Sequence, residues 1–356
     1  MRLVNIEEIE EGMMLAKPVY SEKGTILLQE GATLKQQYIP KIEELGYSNV
    51  YIQDETLKDL EVNDIVNEEL RRESVNNIKE TFSEVEKKTT ISPNDTKYIK
   101  VTTSNLIEEI IKNKDLMVNM VDLKMYNNYT FQHSVNVAII SVIVGISMEL
   151  DQMQLYKLGL GALLHDIGKT AVPNSILEKE GDLTEEEYEK VKQHSRKGYE
   201  ILRENNELSS TSTTVALHHH ERCNGEGYPE GKTHDGIHLF SRITAVADVF
   251  DALISDRPYR KSYSPSEAME YILGGAGSLF DRQVVGHFFR KVATYPVGTK
   301  VKLSDGRIAF VIKNFEKFSL RPKIRVIEEN GEEVEPYDID LREEEYNTIT
   351  ITDSML

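Results

Sequence analysis

One cysteine, Cys223, is all the thiol chemistry in this 356-residue chain. No intramolecular disulfide and no thiolate metal cage can be built from it, which fits a reducing, cytoplasmic setting. Basic residues are also scarce: 42 Lys and Arg stand against 60 Asp and Glu, for a formal net charge of −18. That balance argues against a polymeric nucleic acid bound across a broad face, which needs a basic footprint. It leaves room for a small anion in a locally basic pocket. Long apolar runs are missing as well. The greasiest stretch, Val135 to Ile146, is interrupted by Asn136, Ser141 and Gly145. It is too short to span a bilayer and reads as a buried core helix, so no membrane segment is expected. Met1 to Glu8 lacks the basic start and apolar stretch of a signal peptide.

With 39% apolar and 29% charged residues, the composition is that of a folded, soluble protein with room for several units. Residues 1–56 read as a small α/β unit. Ala16–Tyr20 and Thr25–Leu28 flank the turn Ser21-Glu22-Lys23-Gly24, a helix runs from about Leu34 to Leu45 with Gly46 as its cap, and Asn49–Ile52 returns as a strand. Residues 57–115 read as a helical linker region, with Leu57, Leu60, Ile65, Leu70, Val75, Ile78, Phe82 and Val85 spaced for an amphipathic helix. Ile91–Asp95 marks a break, and helices resume near Ser104. Residues 116–293 form a helical domain. Residues 294–356 read as a small β-rich unit, barrel-like in one form, with Asn330-Gly331 as its strongest hairpin signal.

The chemistry is concentrated in the helical domain. Leu163-Leu164-His165-Asp166-Ile167-Gly168-Lys169 sets an imidazole beside a carboxylate inside what reads as an apolar helix. Burying such groups is costly unless a cation or hydrogen bonds compensate them. His133, His194, His219, His220 and Asp248 are further candidates. His133 or His194 taken alone is more simply a hydrogen-bonded core or surface residue. His218-His219-His220 could be a solvated cluster, although it precedes a glycine-rich loop. Asp248 stands between Ala245-Val246-Ala247 and Val249-Phe250, where a carboxylate needs a partner; Asp251 suits a supporting or structural role. Seven His and Asp side chains exceed what one ion uses, and a set of nitrogen and oxygen donors suits Fe, Mn, Zn or similar divalent ions. The expectation is a metal cluster with hydrolytic chemistry.

His165-Asp166-Ile167-Gly168-Lys169, followed by His219-His220-Glu221-Arg222 and Gly227-Tyr228-Pro229, resembles the HD-GYP subgroup of the HD metal-dependent phosphohydrolases. The likeness runs over roughly residues 120 to 290. It takes in His133–Ala138, Val172-Pro173, Leu183-Thr184, Asp248–Leu253 and Arg257-Pro258-Tyr259-Arg260. It implies a mainly α protein whose catalytic domain is all-helical, between the small N-terminal α/β and C-terminal all-β domains. It also implies hydrolysis of cyclic di-GMP to pGpG and, as often in the family, on to GMP. The ligands of a two-metal centre, iron or manganese, would be His133, His165, Asp166, His194, His219, His220 and Asp248. Asp166 and Lys169 would be catalytic, with Lys169, Arg257, Arg260, Gly227, Tyr228 and Pro229 at the substrate.

The pattern departs from the family in places. Arg222-Cys223-Asn224-Gly225 stands where an aromatic residue and then Asp usually precede the glycine, so a charge is lost while an acceptor is kept. His218 is an additional imidazole outside the expected ligand set. Tyr129 occupies the place where some members carry a third-metal carboxylate, which favours two ions. In the implied reaction, water activated by both ions attacks phosphorus opposite the leaving 3′ oxygen. Two alternatives remain: a receptor that binds the dinucleotide without turnover, and a hydrolase of another cyclic dinucleotide. A homodimer or a signalling partner would engage the terminal domains.

Overall fold

The computed structural model describes residues 1–21, 25–47, 49–60, 62–119, 129–179, 181–255 and 263–355. In the N-terminal unit β1 (Arg2–Asn5) pairs antiparallel with β4 (Asn49–Ile52), and β2 (Val19–Tyr20) with β3 (Ile26–Leu28). Residues 22–24 of the turn expected between β2 and β3 lie outside the described residues. The helix expected from Leu34 starts later, as a tight turn at Gln36–Tyr38 followed by α1 (Ile39–Glu44). Pro40 explains this, because a residue without an N–H fits the first turn of a helix but not its interior. Gly46, at φ +85°, closes the element as expected.

Two long helices, α2 (Glu68–Lys88) and α3 (Pro93–Lys112), fill most of the segment read as a helical linker. The break and the helix start coincide at Ser92. Its side chain accepts from the Asp95 backbone N–H, and the Asp95 carboxylate accepts from the Ser92 N–H. Both helices belong to the helical body: Val75, Ile78 and Phe82 of α2 and Ile99, Leu106 and Ile110 of α3 join its main apolar cluster, while Leu57 and Asp59 stay with the N-terminal unit. The same cluster holds α4 (Tyr129–Ser147) and α5 (Gln152–Leu163). By length and composition α4 is able to cross a membrane, but it is mostly buried inside the molecule.

Beyond α5 come α6 (Asn174–Leu177), α7 (Glu185–Arg203), α8 (Ser210–His218), α9 (Leu239–Ile254), α10 (Pro265–Gly274) and α11 (Arg282–Lys291). Helix α5 packs on α4 and α8, α8 on α7 and α9, and α9 on α4. This ring of neighbours brings side chains far apart in sequence to one place.

The C-terminal unit is an antiparallel sheet in the order β8 (Glu332–Asp340), β7 (Lys323–Glu329), β6 (Ile308–Lys313), β5 (Lys300–Leu303), β9 (Ile351–Met355). Asn330 and Gly331 both have positive φ, 52° and 82°, as a two-residue hairpin turn requires. Among the described residues no pairing joins the edge strands β8 and β9, so the sheet is open rather than a closed barrel. The two terminal units touch each other. Leu3 N–H donates to Gly298 O at 3.0 Å, and the Arg325 guanidinium meets both Asp59 carboxylate oxygens at 2.6 and 2.9 Å.

Candidate metal centre

Helix α5 ends at Leu163, so His165 and Asp166 stand in the turn before a short 3-10 helix, Ile167–Ala171, and not inside an apolar helix. The turn brings the backbone of Gly168 against α7. A Cβ on Gly168 would lie 1.9 Å from His194 O and 2.4 Å from Gly198 N, so only glycine allows the approach. Helix α7 is fixed at its start by Thr184 and Glu187, whose side chains cap each other's backbone N–H groups as the sequence indicated. His219 and His220 follow α8, Asp248 lies on α9 and His133 on α4.

All seven side chains converge. Potential ligand atoms of Asp166, His194, His219 and His220 lie within 4.8 Å of one another, and so do those of His133, His165 and Asp166. Asp166 belongs to both sets. Its Oδ1 is 3.4 Å from His194 Nε2 and 3.9 Å from His219 Nε2, while Oδ2 is 3.4 Å from His165 Nε2 and 3.7 Å from His133 Nε2. Asp248 faces both sets too, with Oδ1 3.0 Å from His133 Nε2 and Oδ2 3.6 Å from His220 Nδ1.

Three imidazoles are oriented by their own helical turns. Nδ1 of His165, His194 and His219 faces the carbonyls of Ala162, Val191 and Val215 at 2.7, 2.7 and 3.1 Å. A carbonyl only accepts, so Nδ1 carries the proton and Nε2 presents its lone pair to the cluster. Burial pushes His194 and His219 below the ordinary imidazole value and takes His220 to about 3, so all three are neutral at pH 7. For His133 burial pulls the same way, but hydrogen bonds to Asp248 and Asp251 outweigh it and raise the group to about 9. Asp166 and Asp248 stay well below the carboxylate range despite burial. The Lys169 ammonium holds Asp166 down, and the hydrogen bond from His133 holds Asp248 down. His165 Nε2 and Asp166 Oδ1 are buried without a hydrogen-bond partner. Neutral imidazoles, ionised carboxylates and orphaned buried acceptors are what a divalent cation satisfies, and the residues fit one.

Comparison with known proteins gives this cluster its family. A family model described as "HD domain" matches residues 106–284, half of the chain, and one described as "KOW domain associated with HD domain" matches residues 300–354. "Cyclic di-GMP phosphodiesterase PA4108" of Pseudomonas aeruginosa is 38% identical over 227 residues, 63% of this chain and 55% of that protein. "3'3'-cGAMP-specific phosphodiesterase 1" of Vibrio cholerae is 42% identical over 166 residues, 46% of this chain and 37% of that protein. The chain thus spans about half the length, or less, of these curated relatives. Among solved structures, "Bd1817, a HDG"Y"P protein from Bdellovibrio bacteriovorus" superposes with a TM-score of 0.50 at 16% identity, over 80% of this chain and 97% of that one, a likeness of fold. The chain belongs to the HD domain family.

The Gly227-Tyr228-Pro229 loop, on which the HD-GYP resemblance rests, lies over the His194 side of the cluster. The Tyr228 ring sits 4.7 Å from the His220 ring, inclined by 31°, and the Tyr228 N–H donates to His220 O at 3.2 Å. Burial pushes the Tyr228 phenol up, so it stays protonated. A Cβ on Gly227 would lie 2.3 Å from Arg222 N, which explains glycine there. Pro229 follows across a cis peptide bond. The Glu221 carboxylate accepts from the Glu230 and Lys232 backbone N–H groups at 2.7 and 2.9 Å and pins the far end of the loop. Asn224 Oδ1 accepts from the Glu226 N–H at 3.0 Å, so the acceptor expected of this departure is in use.

Lys169, expected at a substrate phosphate, pairs with Asp166 Oδ2 at 2.5 Å and is 24% exposed. Arg257 and Arg260 lie outside the described residues. His218 is turned away from the cluster, with Nε2 3.1 Å from Glu230 and 3.2 Å from Lys232 Nζ. Sequence reasoning gave Asp251 only a general supporting role and passed over Asn136. Asp251 Oδ2 accepts from His133 Nδ1 at 2.7 Å, and its Oδ1 accepts from Asn136 Nδ2 at 2.9 Å. The available signal was spacing, because Asn136 follows His133 by three residues and shares its helix face.

Proposed function

We propose that this chain is a metal-dependent phosphodiesterase that hydrolyses cyclic di-GMP to pGpG and onward to GMP. The observation that carries the reading is Asp166 joining two sets of imidazoles, among which His165, His194 and His219 turn their Nε2 lone pairs inward. One set, His194, His219 and His220 with Asp166, would hold one ion. The other, His133 and His165 with Asp166, would hold the second, with Asp248 facing both. Donors of this kind suit iron or manganese. Bound there, the pair of ions would supply an activated water and a sink for charge developing on the phosphoryl oxygens.

The protein's own groups do the rest. Lys169 reaches the mouth of the site from beside Asp166, and its ammonium can turn from that carboxylate to a phosphate oxygen. Arg257 and Arg260 are proposed to clamp phosphate, for which paired guanidinium N–H groups are well shaped. Gly227, Tyr228 and Pro229 roof the His220 side, where the neutral Tyr228 ring keeps water from the imidazoles and offers a face to a guanine. A messenger made inside the cell agrees with a cytoplasmic site of action.

A relative named for 3'3'-cGAMP is as similar to this chain as relatives named for cyclic di-GMP. Both dinucleotides therefore belong in the test. Purified protein loaded with Mn²⁺ or Fe²⁺ is incubated with each, and products are separated by chromatography. The expected result is consumption of cyclic di-GMP with pGpG appearing before GMP. Faster consumption of 3'3'-cGAMP would move the substrate to the hybrid dinucleotide. Tight binding of cyclic di-GMP without turnover by fully metal-loaded protein would make it a receptor.

A further inference from the structure

Arg71 is a buried cation on α2, 2% exposed, on a helix that precedes the residues matched by the HD domain model. Its Nη1 donates to Asn136 Oδ1 at 2.9 Å. Asn136 Nδ2 then donates to Asp251 Oδ1, and Asp251 Oδ2 receives His133 Nδ1. Arg71, Asn136, Asp251 and His133 are all buried.

The sense of this relay is fixed by donor chemistry. A guanidinium has only donors, so Asn136 must turn its carbonyl oxygen towards Arg71. Its amide nitrogen is then left for Asp251, whose carboxylate oxygens accept. Reversing the amide would set donor against donor at one end and acceptor against acceptor at the other. Asp251, held on one oxygen by Asn136, presents the other to His133. That aims His133 Nε2 at Asp248 and Asp166. His165, His194 and His219 need no such support, because carbonyls three or four residues back along the chain orient them.

We propose that Arg71 is a positioning residue for the metal centre, acting on His133 through Asn136 and Asp251. The inference rests on the reading of the seven side chains as metal ligands and extends it to a helix outside the matched region. It implies that α2 helps to set the metal affinity of the His133 set.

The test is a Mn²⁺ titration by calorimetry on the full chain, comparing wild type, Arg71→Met, Asp251→Asn and the double variant. Arg71→Met is expected to weaken binding about tenfold, the size typical of lost support behind a ligating histidine. The double variant is expected to bind no more weakly than Asp251→Asn, because both changes act on the same imidazole. An Arg71→Met chain that melts earlier but binds Mn²⁺ within about twofold of wild type would overturn the proposal, leaving Arg71 a purely structural part. Losses that multiply in the double variant would overturn it as well. If Arg71→Met is not recovered folded, Asn136→Ser takes its place with the same expectations. Because the readout is metal affinity, failure of the wild-type chain to cleave cyclic di-GMP would count against the substrate reading and not against this one.

Discussion

The two sides of the His/Asp cluster are built differently. On the His194 side the imidazoles are oriented locally: His194 and His219 each donate Nδ1–H to a carbonyl of their own chain segment, and Tyr228 covers His220. On the His133 side one imidazole depends on a carboxylate from α9, an amide on its own helix and a guanidinium from α2. Burial leaves the first group neutral, whereas His133 is held protonated by Asp248 and Asp251. Helical geometry is therefore enough to present one half of the site. The other half requires the tertiary structure to be in place, and it must give up a proton to bind a cation.

The largest effect expected is at the residue common to both sides. Asp166→Ala should bring turnover of the dinucleotide to background, since among the described residues Asp166 is the carboxylate within ligand distance of both sets; near-normal product formation would refute the shared role. Gly168→Ala should separate the sides. Its Cβ cannot fit beside His194 O, so a loss of about 1–3 kcal/mol in stability is expected, with metal retained better on the His133 side. Thermal melts and metal content would check both halves of that statement. Lys169→Ala should slow turnover by about 10²-fold with metal content unchanged, as for loss of one charge-stabilising group; a fall in metal content would instead make Lys169 part of the metal cradle.

A smaller effect concerns protons. At pH 7 metal-free His133 is charged, its pKa being about 9, and a cation can take Nε2 only after that proton leaves. Mn²⁺ uptake should release about one proton per chain at pH 7, and affinity should rise as pH goes from 7 towards 9. Calorimetry in buffers of different ionisation enthalpy measures the release directly. The smallest effect is remote from the cluster. Arg325→Ala removes the pair with Asp59 between the terminal units, exposed enough that a cost of about 0.5–1 kcal/mol is expected, with no change in metal affinity. The Arg325 hydrogen bond holds the Asp59 carboxyl at about 2. The pair's contribution is thus full above the ordinary Asp value of about 4 and is lost as pH falls through about 2. Chemical denaturation at pH 7 and pH 2 tests it.

What could be read in the sequence follows the same division. A His/Asp cluster was legible because imidazoles and carboxylates inside apolar runs demand compensation, the seven proposed ligands came with the family resemblance, and Thr184 with Glu187, and Asn330 with Gly331, are local signals that need no partner. The end of α5 at Leu163 was hidden, since Leu163 to Ile167 continue an apolar helix pattern; the contact that ends it, Gly168 on α7, is long-range. The start of α3 was read only as a break because a proline and a cap serve for both. Arg71 had no local signal at all. It lies on a mostly polar helix, and only packing against α4 distinguishes it from its neighbour Arg72, which stands 5.9 Å over the Tyr20 ring. Arg257 and Arg260 remain part of the proposed substrate site on the family resemblance.

The central claim is that Asp166 joins two sets of ligands, each holding its own cation. Elemental analysis of wild-type and Asp166→Ala protein, loaded with Mn²⁺ and freed of excess metal, addresses it most directly. The account expects about two ions per chain in the first and essentially none in the second. A single ion in the wild type, or two that survive loss of Asp166, would contradict it.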